Sequence, residues 1–333
     1  MSLHTGMIPD DVSSIAHRPG LVWGYDLSDG IARPIHDADL ISPQARSPGL
    51  RWLHFNLSDQ RTLRWLAASL PERMNALLVA VEQDQRFELE DGMLGLVLHD
   101  IEHDFHGGEL RTSALRLVVG PSLIVTARRH PVRSADLVKR RIEQGAQVAG
   151  PVEAVELVLD CLLEVFLDTT AELEAKVQDI EDELLKDGPA PDLRQFITLR
   201  SLMVRLHRAF AGLRTMLRRL EDRHEAYAPA AAKAVSRLAP LDADLQAIQS
   251  QLRLLRDELD LQAAQQTNKT LYVLSVLTAL LMPATLVTGI FGMNTSGLLW
   301  TAGRYGSLWA TGLALGTAAV AYLILRLSGF IRR

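Results

Sequence analysis

The spacing of hydrophobic positions changes twice along this chain, and the changes mark three parts. Up to about residue 150, short apolar runs are separated by turn-forming residues. Segments 21–27, 50–57, 93–101, 111–119 and 122–127 are rich in aliphatic and β-branched residues and read as strands, the later ones divided by Gly-containing turns. Residues 61–70 read as a helix opened by Ser58 or Asp59. The expectation for 1–150 is a mixed α/β domain.

After Gly150 the period lengthens to that of a helix. Pro151 suits a first helical position. Val155, Leu159, Leu162, Phe166, Leu173, Val177 and Ile180 follow helical spacing through a first segment, about 151–187. Gly188, Pro189 and Pro191 interrupt it, and a second helix covers about 192–224. A third, about 230–269, carries Leu238, Leu241, Leu245, Ile248, Leu252, Leu255 and Leu259 in steps of three and four, which is a heptad seam. Residues 151–269 therefore read as a helical stalk. Pro240 is either the start of the third helix or a kink in it. No Gly or Pro lies between 241 and 270, so the seam is expected to run without interruption into the C-terminal part. At ~1.5 Å per residue, a helix over 241–291 is roughly 75 Å long.

The C-terminal part is apolar. Residues 270–303 contain no Asp, Glu, Lys or Arg, and neither do 305–325. A membrane-crossing helix needs ~20 such residues. The third part is thus a hairpin: span 1 at 270–291, an outer loop at 292–306, span 2 at 307–327 and a basic tail at 328–333. Lys269 precedes span 1, Arg326, Arg332 and Arg333 follow span 2, and Arg304 alone sits in the loop. Basic residues stay on the cytoplasmic side, so both termini are expected there, in a multi-pass plasma-membrane protein.

Span 1 is two-sided. On a wheel at ~100° per residue, Leu271, Ser275, Thr278, Met282, Thr285 and Gly289 share an arc of roughly 100°, with Asn268 at its edge. The remaining positions are mostly aliphatic. Small and hydroxyl-bearing residues suit either helix packing or a water-lined path. Two spans cannot enclose such a path, so the second reading requires a closed ring of identical chains. Leu271 and Met282 would then be apolar gates that close by dewetting.

Composition narrows the partners. The 333 residues carry a formal net charge of -5 and no long basic run, which argues against nucleic acid. The single cysteine, Cys161, lies in an apolar helical pattern and reads as a small buried residue in a reducing compartment. The N-terminus has no basic start followed by an apolar run, so no cleavable signal is expected.

Span 1 ends in Gly292, Met293 and Asn294, followed by the uncharged turn Thr295, Ser296 and Gly297. The Asn carbonyl oxygen suits the water shell of a dication. Together with the stalk, this triplet resembles the CorA-type divalent cation transporters. Gln266, Thr267, Asn268, Lys269, Thr270, Leu271 and Tyr272, then Pro283, Thr288 and Gly289, are most similar to the ZntB-type zinc transporters within that family. Similar runs lie at Gly20 to Trp23, Asp91 to Leu94 and Thr126 to Arg129. The resemblance implies a homopentameric funnel, a pore lined by span 1, and Gly292, Met293 and Asn294 as the outer selectivity ring. It also implies Zn2+ uptake coupled to protons, with no catalytic cofactor. Loop residues 294–306 contain no acidic residue, whereas Mg2+-carrying members usually have them there. The other readings are a Mg2+/Co2+ channel of the same family and a membrane-anchored cytosolic metal sensor.

Two further groups have ligand chemistry. His99, Asp100, Glu102, His103, Asp104, His106 and Glu109 form either a metal site, with His99, His103 and His106 as its histidines, or a charged hairpin tip. Asp257 and Asp260 either attract cations near the lower pore or belong to a solvated stalk face. The basic run from Arg128 to Arg141 reads as charged surface or an intersubunit contact. No phosphate loop, paired-Cys site or nucleophile elbow occurs, so nothing supports an enzyme.

Overall fold

A computed structural model describes residues 20–28, 31–35, 49–81, 84–102, 111–185, 193–293 and 305–328. The chain forms two compact units, 1–254 and 255–333.

Unit 1 opens with seven strands. They are β1 (Leu21–Ser28), β2 (Ile31–Pro34), β3 (Leu50–Asn56), β4 (Arg86–Glu90), β5 (Met93–Ile101), β6 (Thr112–Val119) and β7 (Leu123–Arg128). They make one sheet in the order β2-β1-β3-β7-β6-β5-β4. All neighbours are antiparallel except β3 and β7, which pair in parallel with Leu53 opposite Val125. The β4–β5 hairpin turns through Asp91 (φ 50°) and Gly92 (φ 73°). Two positive φ values are what a type I′ turn demands, and Asp-Gly tolerates them.

Adjacent residues Trp52 and Leu53 are both fully buried, so the sheet is covered on both faces. One cover is the pair α1 (Gln60–Ser69) and α2 (Glu72–Val79), whose Leu66, Met74, Leu77 and Leu78 pack on Phe55, Val97 and Val118. Asp59, not Ser58, caps α1, accepting from the Arg61 N–H at 2.8 Å. Helix α2 was not expected from the sequence, nor were β2 and β4; all three span eight residues or fewer and carry little periodicity.

Helix α3 (Arg133–Glu143) also departs from expectation. The basic run is an amphipathic helix that buries Ser134, Ala135, Val138 and Ile142. Three of its four cations are engaged within the chain: Arg133 with Glu172, Lys139 with Glu143 and Arg141 with Glu164. Helix α3 has no side-chain cap of its own. Asp100 of β5 serves instead, accepting from the backbone N–H of Ser134 at 3.1 Å and from its hydroxyl. The end of α2 is met in the opposite sense. Arg116 and Arg129 donate to the carbonyls of Ala80 and Val79, each at 2.9 Å, where the helix dipole favours cations.

Three long helices follow: α4 (Pro151–Leu185), α5 (Leu193–Arg223) and α6 (Ala228–Gly292). Phe166 of α4 meets Phe210 of α5 with ring centroids 4.9 Å apart. Asp242 of α6 is held by Arg214 and His207 of α5, at 2.8 and 3.3 Å. The seam from Leu238 to Leu255 is buried. Pro240 lies inside α6, which begins at Ala228, so it does not start the helix. In unit 2, α6 continues without a break to Gly292, and α7 (Gly306–Leu327) is the second apolar helix. Both are long and apolar enough to cross a membrane, with mean hydropathy 2.0 and 1.8 over their best windows.

The fully buried Asp100 generates a stability prediction. Burial pushes its carboxyl up to about 6 from 3.8, against hydrogen bonds from Ser134 and Ile101 that favour the charged form. A raised folded value means that the folded state holds the proton more tightly. The stabilisation is complete below about pH 4 and is lost as pH rises through about 6. The stability of the natural chain relative to Asp100→Asn should therefore fall by on the order of 3 kcal/mol between pH 4 and 7. Urea unfolding followed by Trp fluorescence measures this; a pH-independent difference would show that the carboxyl is already ionised at pH 4.

Candidate functional site

The spanning part of α6 has no charged side chain and little cover from its own chain. None of its most apolar window is buried, whereas a core helix of a soluble protein would be mostly buried. Within 276–291 the half-buried positions are Val276, Ala279, Leu280, Pro283, Ala284, Val287 and Phe291. Steps of three and four place them on one side of the helix. On α7 the corresponding positions are Ala310, Ala314, Thr317, Ala318, Ala321 and Leu325. Their predominance of Ala suits close approach of helices in an apolar medium. The sequence reading missed this Ala face, although its i, i+4 spacing was there to be seen.

The hydroxyl stripe lies on the other side. Leu271, Ser275, Thr278, Met282, Thr285 and Gly289 are all exposed, centred roughly 160° from the half-buried face at 3.6 residues per turn. Exposed Leu274, Leu277, Leu281, Leu286 and Ile290 flank the stripe. Unit 2 thus has a face packed within the chain, apolar flanks suited to lipid, and a polar line that no described residue of the chain covers.

The hydroxyls are oriented by their own helix. Thr278 Oγ1 donates to the Leu274 carbonyl at 2.8 Å, and Thr285 Oγ1 to the Leu281 carbonyl at 2.7 Å. A hydroxyl has one proton to donate and two lone pairs. With the proton turned back to the backbone, each oxygen presents only acceptor character outward. Water bound to a cation points its hydrogens away from the ion. A line of acceptors therefore suits a hydrated cation and gives no advantage to a hydrated anion.

At the end of α6, Gly292 is the last helical residue, and the Met293 N–H donates to the Ile290 carbonyl at 3.3 Å. Met293 is exposed. Asn294 lies outside the described residues. At the other end of the stripe, Asn268 is exposed on α6.

The remaining candidates do not assemble. His99 is half-buried, its Nδ1 3.3 Å from Gln85 Nε2, while Asp100 on the opposite strand face is committed to Ser134. His103 and His106 lie outside the described residues. Asp257 and Asp260 are exposed on α6, and Asp260 sits 4.0 Å from Arg256 one turn away. Among the described residues, no group of three His, Cys, Asp or Glu side chains is placed to hold a metal ion.

Comparison with known proteins gives concordant relatives. Residues 47–328 match the CorA-like Mg2+ transporter protein family. The zinc transport protein ZntB of Pectobacterium atrosepticum is 24% identical over 297 residues, covering 84% of this chain and 86% of that one. The structure of full-length CmaX matches with a TM-score of 0.76 at 21% identity, over 93% of this chain and 98% of the other. The CorA magnesium transporter of Methanocaldococcus jannaschii matches with a TM-score of 0.75 at 16% identity, with the same two coverages, 93% and 98%. At these identities the structural likenesses establish the fold.

The stripe is open to chemical mapping. Cys161 is the sole native cysteine, and burial pushes its thiol up to about 12, so it supplies no reactive thiolate. In liposomes, a water-soluble thiol reagent should label Thr278→Cys and Thr285→Cys at least tenfold faster than Val276→Cys and Val287→Cys. Equal rates at all four positions would rule out a water-facing stripe.

Proposed function

Because the chain belongs to the CorA-like Mg2+ transporter protein family, whose members move divalent cations across membranes, we propose that its cargo is Zn2+, taken up through a pore lined by α6 of several copies. One observation carries the pore: acceptor oxygens of Thr278 and Thr285 line the exposed side of α6, opposite its packed face. A single hairpin leaves that line uncovered, and a ring of five chains would close it around water. The polar line in turn weighs against the anchored sensor, because an anchor needs none.

Gly292, Met293 and Asn294 form the outer ring in this reading. Each chain contributes one Asn carbonyl, which hydrogen-bonds the ion's water shell without a fixed charge. Lys269 and Arg326 flank the two spans on one side, which supports cytoplasmic termini in the inner membrane.

Two observations favour zinc over magnesium. The loop 294–306 has Arg304 and no carboxylate, and the ZntB relative is named for zinc transport. The family itself is named for Mg2+, so magnesium is the competing cargo. Proton coupling is compatible with one feature only: among residues 270–291 the sole titratable side chain is Tyr272, so a proton would travel with the water column rather than on a carboxylate or histidine relay.

Liposomes containing a metal-sensitive dye test the reading. Zn2+ uptake should exceed Mg2+ uptake, should rise when the outside is more acidic, and should fall at least tenfold in Asn294→Ala. Faster Mg2+ than Zn2+ flux would overturn the cargo assignment, and unchanged flux in Asn294→Ala would overturn the outer ring.

A further inference from the structure

Between β4 and α5, wholly within unit 1, lies a cavity of about 430 Å3, well away in sequence from the conducting helix. That volume falls in the range of small-molecule sites, roughly 300–1,000 Å3. Arg86, Arg219 and Arg223 line it, and no carboxylate is among the described residues of its wall. Glu88 stands 3.8 Å from Arg86, outside that wall. Arg219 and Arg223 are four residues apart on α5, a like-charge spacing that a helix does not favour. More positive charge stands behind β4. Burial, then the Arg129 and Arg86 guanidiniums, hold Arg116 down to about 10. Within the wall itself the described charges are all positive.

The rest of the wall is not that of an inorganic anion site. Phe87 and Met216 supply apolar surface beside the arginines. Gln85, also in the wall, is fixed from behind. Its Nε2 donates to the Ala209 carbonyl at 2.8 Å and lies 3.3 Å from His99 Nδ1. Its Oε1 is buried with no hydrogen-bond partner. That oxygen has no accessible surface, so it does not open onto the cavity, and Gln85 serves as a fixed part of the wall. Gly212 permits the arrangement, because a Cβ there would stand 2.6 Å from Gln85 Nε2. The cavity thus joins a multiply charged anion clamp and an aromatic face.

We propose that this cavity binds a nucleoside di- or triphosphate, with phosphates on Arg219 and Arg223 and the base on Phe87. Guanidinium pairs recognise phosphate oxygens through several hydrogen bonds at once. Phosphate alone leaves Phe87 without a role, which separates the two ligand classes.

The test titrates ADP into the full-length protein in detergent by calorimetry, with EDTA present so that no metal complex reaches the conducting site. One ADP per chain should bind, at least tenfold more tightly than inorganic pyrophosphate. The double variant Arg219→Glu, Arg223→Glu should weaken ADP at least tenfold. Thr215→Trp fills the cavity from an exposed lining position without changing charge, and should do the same. Arg64→Glu, an exposed charge reversal on α1, should leave binding within twofold. Absence of ADP binding, pyrophosphate binding as tightly as ADP, or ADP binding unchanged in Thr215→Trp would each overturn the proposal. The Trp variant decides alone if the charge reversals unfold the chain.

Discussion

An apolar helix whose own chain leaves it uncovered has to be covered by something else, and that constraint governs the C-terminal quarter of this protein. The most apolar window of α6 has none of its residues buried, although its mean hydropathy is 2.0. In water, exposing that surface would cost about 25 cal/mol per Å2 of apolar area. Lipid removes the cost for Leu277, Leu281 and Leu286 but gives no partner to hydroxyls. Thr278 and Thr285 meet that second demand locally, by donating to carbonyls one turn back. The same bonds that make a threonine tolerable in an apolar medium leave its oxygen as an acceptor. Tolerance of the membrane and suitability for a hydrated cation come from one geometry.

The N-terminal domain obeys a related rule with different means. Its helices are short, so their unsatisfied ends form a large share of their backbone polar groups. Long-range side chains satisfy several of them. Asp100 of β5 accepts at the start of α3, while Arg116 of β6 and Arg129 donate at the end of α2. Charge sign follows the helix dipole in each case, negative at the start and positive at the end. Burying these ionisable groups is costly in itself, which is why Asp100 is held up towards neutrality and Arg116 is held down. The sheet and helices are bound to one another through these groups as well as through the apolar core.

The stalk helices add a third arrangement, in which apolar seam and charge are spatially separate. The seam from Leu238 to Leu255 is buried, while Asp160 reaches Lys233 and Arg237 at the exposed surface between α4 and α6. Exposed pairs of this kind are worth little singly, a few tenths to about 1 kcal/mol, so the seam holds the helices together and the charges select their register. Asp242 is the exception. It is almost fully buried and accepts from Arg214, with His207 Nδ1 3.3 Å from its other oxygen, so it ties α5 to α6 within the seam region.

Sequence by itself determined whatever lies along one continuous helix. The seam, the two uncharged runs and the hydroxyl stripe are periodic in residue number, and the helix converts residue number directly into angle and height. Several strands were legible from another local signal, aliphatic and β-branched runs bounded by turn residues. Tertiary structure decided everything that joins distant residues: the parallel pairing of β3 with β7 across three intervening strands, the capping of α3 by Asp100, and the approach of Gln85 to Gly212. It also decided which side of span 1 is packed, because burial depends on a neighbouring helix and not on the wheel alone. The basic run at 128–141 shows the limit most plainly. Read as a string it is charge, and only the surrounding sheet and α4 reveal that its Val138 and Ile142 are core while Arg133, Lys139 and Arg141 are already paired.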